Sequence, residues 1–260
     1  MSKPMLVGVI HLPPLPGAPR ATVTATEAAK SAARCARALA GYDAVIVENF
    51  GDTPFFAKKV PPVTVAAMTA CALAVREAAP NLALGINVLR NDGEAALSIA
   101  ACTGASFVRI NVLTGARVTD QGVVEGDAAT TLRLRKELGA LDVGIWADID
   151  VKHSAPLGAP RPIVQELEDL TKRAMADVVL VTGEGTGKGV EVERLATVKK
   201  ASSAPVLVAS GATLATLPVL SAWSDGVIVG TALRKGGVPG GPIDETLAKE
   251  FADAFRSAFA

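Results

Sequence analysis

Short runs of aliphatic and β-branched residues alternate along the chain with longer segments of helical periodicity. The predicted strands are Met5–Ile10, Ala44–Glu48, Leu82–Asn87, Phe107–Asn111, Val143–Ile149, Val178–Val181, Val206–Ala209 and Gly226–Val229. Most are apolar throughout, the pattern of parallel strands covered on both faces. Between them the spacing predicts helices. The first runs from Thr24 to Ala40, with Thr24 and Glu27 at capping-box spacing and Gly41 beyond the end. Thr64 to Ala79 stops at Pro80. Asp92 and Asp127 stand where caps are needed for helices ending at Thr103 and Leu138. Pro162–Ala174, Val190–Ala201, Thr213–Ser221 and Ile243–Phe259 complete the set.

Eight strand–helix units in 260 residues predict an α/β fold, a (β/α)₈ TIM barrel forming a single domain over residues 1–260. A doubly wound open sheet is the alternative, but its phosphate fingerprint is missing. The first strand–helix turn reads HLPPLPGAPR, with no G-x-G-x-x-G. The Pro/Gly-rich segments Leu12–Pro19, Ser154–Pro162 and Lys235–Pro242 each follow a strand closely and read as loops.

Composition changes this picture in three places. Half the residues are apolar, and mean hydropathy is +0.36. Yet the longest nearly unbroken apolar stretch, Val63 to Val75, contains Thr64 and Thr69 and is too short for a membrane-spanning helix. No integral membrane segment is expected. The 26 basic residues balance 26 acidic ones, and aromatics make up only 4%, so no nucleic-acid partner is expected. Cys35, Cys71 and Cys102 are widely spaced in alanine-rich helical segments, without C-x-x-C. They read as reduced, packed thiols, and with no leader pattern at the N-terminus a cytoplasmic location is expected. Self-association is a prior only, since C₂ dimers are the commonest oligomers.

A barrel places its active site at the C-terminal ends of the strands. There the sequence puts His11, then Glu48 and Asn49, then Asn87 with Arg90 and Asn91 just beyond, then Arg109 with Asn111. The fifth predicted strand brings Asp148, Asp150, Lys152 and His153; the sixth, Thr182 and Gly183. Ionisable groups within apolar strands are costly unless paired or functional. Alternation puts Asp148, Asp150 and Lys152 on one face, a set suited to acid–base chemistry, a Schiff base or anion binding. The competing reading is an internal ion pair closing the barrel mouth. Arg109 is either an anion-binding fork or the salt-bridge partner of Glu48 or Asp148. His11 and Glu48 are candidates for acid–base work, set against a structural histidine and an ion pair. Asn87, Arg109, Asn111, His153, Thr182 and Gly183 are assigned to substrate binding.

Two histidines and no H-E-x-x-H leave no familiar zinc pattern, and no cofactor is expected; an oxygen-ligated Mg²⁺ is the minor alternative. The segment VTGEGTGKGVEV is not a Walker loop: Thr182 stands where the leading glycine belongs, and Gly189 follows Lys188. The turns after the last two strands, VASGAT and GVIVGTALRKGG, carry small residues that let backbone N–H groups approach a phosphate. Ser210, Gly211, Ala212, Gly230 and Thr231 are the phosphate-binding candidates, and a phosphorylated small molecule is the expected ligand.

The strings GVIHLPPLPGAPR, VIVENFGDTPF, GINVLRND, FVRINVLTG, ADIDVKHS, VTGEGTGKGV, and VASGAT with GVIVGTALRKGG span nearly the whole chain. Together they resemble the BtpA family. The resemblance implies a barrel similar to the ribulose-phosphate-binding group. Some members are associated with photosystem I accumulation, while relatives outside photosynthetic organisms imply an enzymatic role on a small metabolite. The last strand and its loop also resemble the phosphate grippers of tryptophan- and histidine-biosynthetic barrels. The Asp-x-Asp-x-Lys spacing departs from the Asp-x-Lys-x-x-Asp of orotidine-phosphate decarboxylases, which argues against that reaction. The expectation is an enzyme with isomerase or lyase chemistry on a phosphorylated sugar or related metabolite. A non-enzymatic factor for photosystem I biogenesis is the alternative, and a sensor on an inactive barrel a third.

Overall fold

The computed structural model describes residues 3–149, 151, 154–183 and 190–260. In chain order the elements are β1 (Met5–His11), α1 (Ala25–Ala38), β2 (Ala44–Glu48), α2 (Pro62–Ala78), β3 (Ala83–Asn87), α3 (Gly93–Thr103) and β4 (Phe107–Ile110). There follow β5 (Ala116–Thr119), β6 (Gly122–Glu125), α4 (Ala128–Glu137), β7 (Gly144–Asp148), β8 (Ala155–Pro156) and α5 (Ile163–Glu168). The chain continues with β9 (Val178–Val181), α6 (Val192–Ala201), β10 (Val206–Val208), α7 (Leu217–Ser221), β11 (Gly226–Val229) and α8 (Glu245–Ala258). Eight strands close into a parallel barrel in the order β1-β2-β3-β4-β7-β9-β10-β11, with β11 returning to β1. All eight match the strands expected from the sequence, within two residues at either end.

The helix boundaries follow local chemistry. Thr24 and Glu27 form the complete capping box on α1. Asp92 accepts from the Ala95 N–H and Asp127 from the Thr130 N–H, each satisfying an otherwise orphaned donor. Two segments depart from expectation. The helix expected over Thr213–Ser221 is only Leu217–Ser221, because Thr213 and Thr216 bond to each other's side chains and backbone in a turn. The segment Pro162–Ala174 is α5 extended by a π-helical turn over Asp169–Arg173.

A small antiparallel sheet, ordered β6-β5-β8, was not expected. Its hairpin turns at Asp120–Gln121, with Gly122 at φ +96°, and packs Val124 onto Val112 and Val151. It joins the segments that leave β4 and β7.

Two apolar layers hold the barrel. The larger lies between strands and helices. The smaller fills the interior with Val7, Val9, Ala44, Ile46, Phe107, Trp146, Val178, Leu180, Leu207 and Ile228. Phe107 stacks on Trp146 with ring centroids 3.7 Å apart. Gly85, level with Phe107 in the neighbouring strand, makes the space: a Cβ there would fall within the Phe107 ring. Of the three cysteines, Cys71 is buried, with its thiol pushed up to about 12 by burial, while Cys102 is exposed rather than packed.

Candidate functional site at the barrel mouth

Alternation along each strand decides what reaches the mouth. The inward rows that supply the apolar interior end, two residues further on, in polar groups. Val7 and Val9 lead to His11, Ala44 and Ile46 to Glu48, Phe107 to Arg109 and Asn111, Trp146 to Asp148, and Leu180 to Thr182. Strand register sets His11 beside Glu48, Glu48 beside Asn87, and Asn87 beside Arg109 in one continuous row.

These side chains open onto a cavity of about 420 Å³. Its wall includes His11, Glu48, Arg109, Asn111, Asp148, Thr182, Ser210, Gly211, Ala212, Gly230 and Thr231 from the sequence-based set. Gly183 stands one step off the wall, its N–H donating to Ser210 Oγ at 3.0 Å. Asn87 lies beneath the wall. Its Nδ2 donates to the Arg109 carbonyl at 2.9 Å, and its buried Oδ1 has no hydrogen-bond partner among the described residues. Asp150, Lys152 and His153 lie outside the described residues, as does the glycine-rich segment 184–189.

The question of what Arg109 pairs with has a definite answer. Its Nε and Nη2 donate to the two oxygens of Asp148 at 3.0 and 2.9 Å, and Asn111 Nδ2 adds a third bond at 2.8 Å. Burial pushes the Arg109 guanidinium down, but the Asp148 carboxylate outweighs it and the net shift is upward. A carboxylate holding three such donors is a fixed anion that orients Arg109 and Asn111. The ion-pair reading therefore describes Asp148 better than that of a mobile base.

His11 and Glu48 stand differently. His11 Nε2 is 3.6 Å from Glu48 Oε1, beyond hydrogen-bond reach. The imidazole stacks on Phe50 with centroids 4.2 Å apart, and its Nδ1 accepts from the Gly240 N–H at 3.2 Å. Both groups are more than nine-tenths buried as side chains or at that limit, at 9% and 10% exposure.

The sequence reading missed several wall residues. Phe50, Phe55 and Leu89 come from segments beyond the strand ends, as does Arg90, which the sequence places just beyond Asn87 but to which no role was given. Burial pushes the Arg90 guanidinium down, with Asp148 opposing. Arg234 was also missed. It is buried behind the last turn and donates to the carbonyls of Val9, Gly230 and Gly241, locking the segment after β11 to β1. Its signal was a lone arginine in a glycine-rich loop. Among the described residues, no group of three His, Cys, Asp or Glu side chains is placed to share a metal ion. Among them, too, no helix is long and apolar enough to cross a membrane.

The turn after β10 has Gly211 at φ +77°, where a side chain would be strained. Together with Gly230 after β11 it gives the cavity one wall of small residues, flanked by His11 and Glu48 and lying across the barrel from Arg109. Fold and site define a (β/α)₈ barrel whose polar cavity lies at the C-terminal mouth. Solved barrels of this shape include thiamine phosphate pyrophosphorylase from Pyrococcus furiosus, with TM-score 0.60, 12% identity, and coverage of 98% of this chain and 97% of that one. Another is (S)-3-O-geranylgeranylglyceryl phosphate synthase from Thermoplasma acidophilum in complex with sn-glycerol-1-phosphate, with TM-score 0.54, 15% identity, and coverage of 99% and 91%.

The chain belongs to the BtpA family, whose model matches residues 1–257. It is 41% identical over 255 residues to the photosystem I biogenesis protein BtpA of Synechocystis, covering 96% of this chain and 87% of that one. An uncharacterised protein of Thermococcus kodakarensis is 43% identical over 234 residues, covering 89% and 87%.

Proposed function

We propose that this chain is an enzyme acting on a phosphorylated sugar or related small metabolite held in the mouth cavity. The observation that carries the reading is the two-sided wall. Ser210, Gly211 and Ala212 with Gly230 and Thr231 form a face of small residues onto which a phosphate fits. Around the same rim His11 follows directly on Gly230, with Glu48 beside it, while Arg90 after β3 and Arg109 of β4, paired with Asp148, stand across the barrel. A cavity of about 420 Å³ is of the size that takes a small metabolite. The structural neighbours named for phosphate compounds, one of them with sn-glycerol-1-phosphate bound, support a phosphorylated ligand.

In this reading the phosphate is held at the turns after β10 and β11. Arg90 supplies charge from the opposite rim. Arg109 and Asn111, fixed by Asp148, orient hydroxyl or carbonyl oxygens, and isomerase- or lyase-type chemistry occurs between them. Asp150, Lys152 and His153 belong to the same proposal by their place after β7, as proton-transfer and substrate-binding groups.

The test is a thermal-shift screen with sugar phosphates and glycerol phosphates. A ligand that binds the native state raises Tm by mass action. The shift is expected in the wild type and lost in Ser210→Glu, which places a carboxylate against the phosphate. The unliganded Tm of the variant reports whether its fold survives loss of the Gly183–Ser210 bond. Absence of any shift, or an unchanged shift in a folded Ser210→Glu protein, overturns the phosphate assignment. The Synechocystis relative's name supports a second reading, a factor for photosystem I biogenesis. Co-fractionation with photosynthetic membranes would favour it.

A further inference from the structure

We infer that His11 and Glu48 form a proton-transfer pair in which a neutral imidazole polarises a carbonyl while the carboxylate moves the adjacent proton. The substrate class is then a phosphorylated α-hydroxy aldehyde or ketone with a hydrogen on the hydroxyl-bearing carbon next to the carbonyl. The inference rests on the phosphate-cavity reading above and assigns its chemistry.

The first observation concerns the imidazole. Its Nδ1 accepts the Gly240 backbone N–H at 3.2 Å. An imidazole nitrogen that accepts carries no proton, so the ring's one N–H is at Nε2. Nε2 is the atom on the Glu48 side, and both residues line the cavity. Protonating Nδ1 would turn an acceptor into a donor aimed at a donor. A fixed cation also lies near: Arg234 is held at the Gly230 carbonyl, and Gly230 adjoins the Cε1–Nε2 edge of the ring. Glu48 acts in the opposite sense, favouring the imidazolium. Its 3.6 Å separation is too long for a hydrogen bond, whereas the Gly240 bond is made. Among the described residues, the other charged groups on the wall are Arg90 and the mutually paired Arg109 and Asp148. The Gly240 bond to Nδ1 is what assigns His11 as an Nε2–H donor.

The second observation is rigidity. Phe50 stacks on one face of the ring, and Gly240 packs against Phe50, where an added Cβ would lie 3.3 Å from the Phe50 ring. The imidazole is thus fixed in plane and tautomer by the segment after β11. A preorganised neutral donor aimed at a developing oxyanion is an effective electrophile.

The step balances without a co-reactant. The Glu48 carboxylate takes the proton from the α-carbon, and the C–H electron pair becomes the C=C bond of an enediolate. The carbonyl π pair moves onto oxygen, where the His11 Nε2–H stabilises it. A proton moves between the two enediolate oxygens, and Glu48 returns its proton to the neighbouring carbon. The result is an isomerisation.

Two measurements on the full chain test this. In ¹⁵N NMR the two histidines are separated by comparison with His153→Gln. His11 should show a neutral Nε2–H imidazole at pH 6, below the ordinary histidine value of about 6.5. An Nδ1–H tautomer, or an imidazolium at pH 7, overturns the assignment. In D₂O, phosphorylated aldoses and ketoses that raise Tm should exchange the hydrogen α to the carbonyl. Glu48→Gln should slow exchange by about 10²–10⁴-fold and His11→Gln by about 10²–10³-fold, both keeping the Tm shift. Sugar phosphates that raise Tm without any exchange overturn the pair and leave the phosphate site standing. Failure of every sugar phosphate to raise Tm overturns the phosphate site, and this chemistry with it.

Discussion

The two ends of the barrel spend their charges in opposite ways. At the N-terminal end three aspartates each stand one residue before a strand. Asp43 accepts from the Leu6 N–H at 2.8 Å, Asp177 from the Ile145 N–H at 2.7 Å, and Asp225 from the Val206 N–H at 2.7 Å. Each tethers the start of the neighbouring strand, and each is met by a cation: Arg256 and Lys3, Arg135, and Lys199 respectively. Both kinds of donor are satisfied, and the contacts face bulk solvent. At the C-terminal mouth, by contrast, His11 and Glu48 line a cavity, and Asn87 Oδ1 is buried without a hydrogen-bond partner among the described residues. The first arrangement closes strands. The second leaves polar groups turned toward a cavity, at a cost that binding can offset. The same strands carry both, so stability and chemistry are separated by about five residues along each of them.

Substitutions at the two ends sharpen this contrast. The largest loss is expected inside the mouth, from Arg109→Met, which strands the fully buried Asp148 carboxylate without its cation. About 3–5 kcal/mol of unfolding free energy should be lost in urea titration. Arg109→Met with Asp148→Leu should recover most of that loss while abolishing ligand binding. A double variant as unstable as the single would contradict the ion-pair account. Phe107→Ala, which empties part of the apolar barrel interior against Trp146, should cost about 3–4 kcal/mol by the same measurement.

Smaller effects are expected at the N-terminal end. Burial pushes the Asp43 carboxyl up, but Arg256, the Leu6 N–H and Lys3 outweigh it, and its value lies below the ordinary one. A depressed folded value means the carboxylate stabilises above the unfolded value of about 3.9 and loses that contribution as pH falls through the folded value. Asp43→Asn should cost about 1 kcal/mol at pH 7, discounted for solvent screening. The gap from wild type should narrow below pH 4; a gap constant from pH 7 to pH 2 would contradict the assignment. Smallest of all, Lys3→Ala removes an ion pair whose lysine is 76% exposed, and should change stability by less than about 0.5 kcal/mol. None of the N-terminal substitutions should alter the Tm shift given by a phosphorylated ligand.

Much of the barrel was legible because both of its signals are local. Fully apolar runs mark covered parallel strands, and Thr24, Asp92 and Asp127 cap the helices they precede. The inward row of the site was legible for the same reason, since alternation carries His11, Glu48, Arg109 and Asp148 to one end once the strands are placed. Longer loops were less legible. Phe50 and Phe55 reach the cavity through the path of the segment after β2, which depends on distant packing. The β5–β6 hairpin is short and mostly polar, and acquires its order from Val124 packing on Val112 and Val151. Arg109 left two readings open because residue type alone does not choose between an anion fork and an internal pair. Its register with Trp146 places it two residues below Asp148, within reach. The aspartates at strand starts were legible and overlooked. Tyr42-Asp43-Ala44, Ala176-Asp177-Val178 and Ser224-Asp225-Gly226 repeat one device.

The central claim is that the mouth holds a phosphorylated metabolite between the turns after β10 and β11. A crystal of the full chain grown with sn-glycerol-1-phosphate tests it most directly. The account predicts phosphate density bounded by Ser210–Ala212 and Gly230–Thr231, with the carbon chain directed toward His11 and Glu48. A ligand absent from the cavity at saturating concentration, or one whose phosphate lies elsewhere on the molecule, would contradict it.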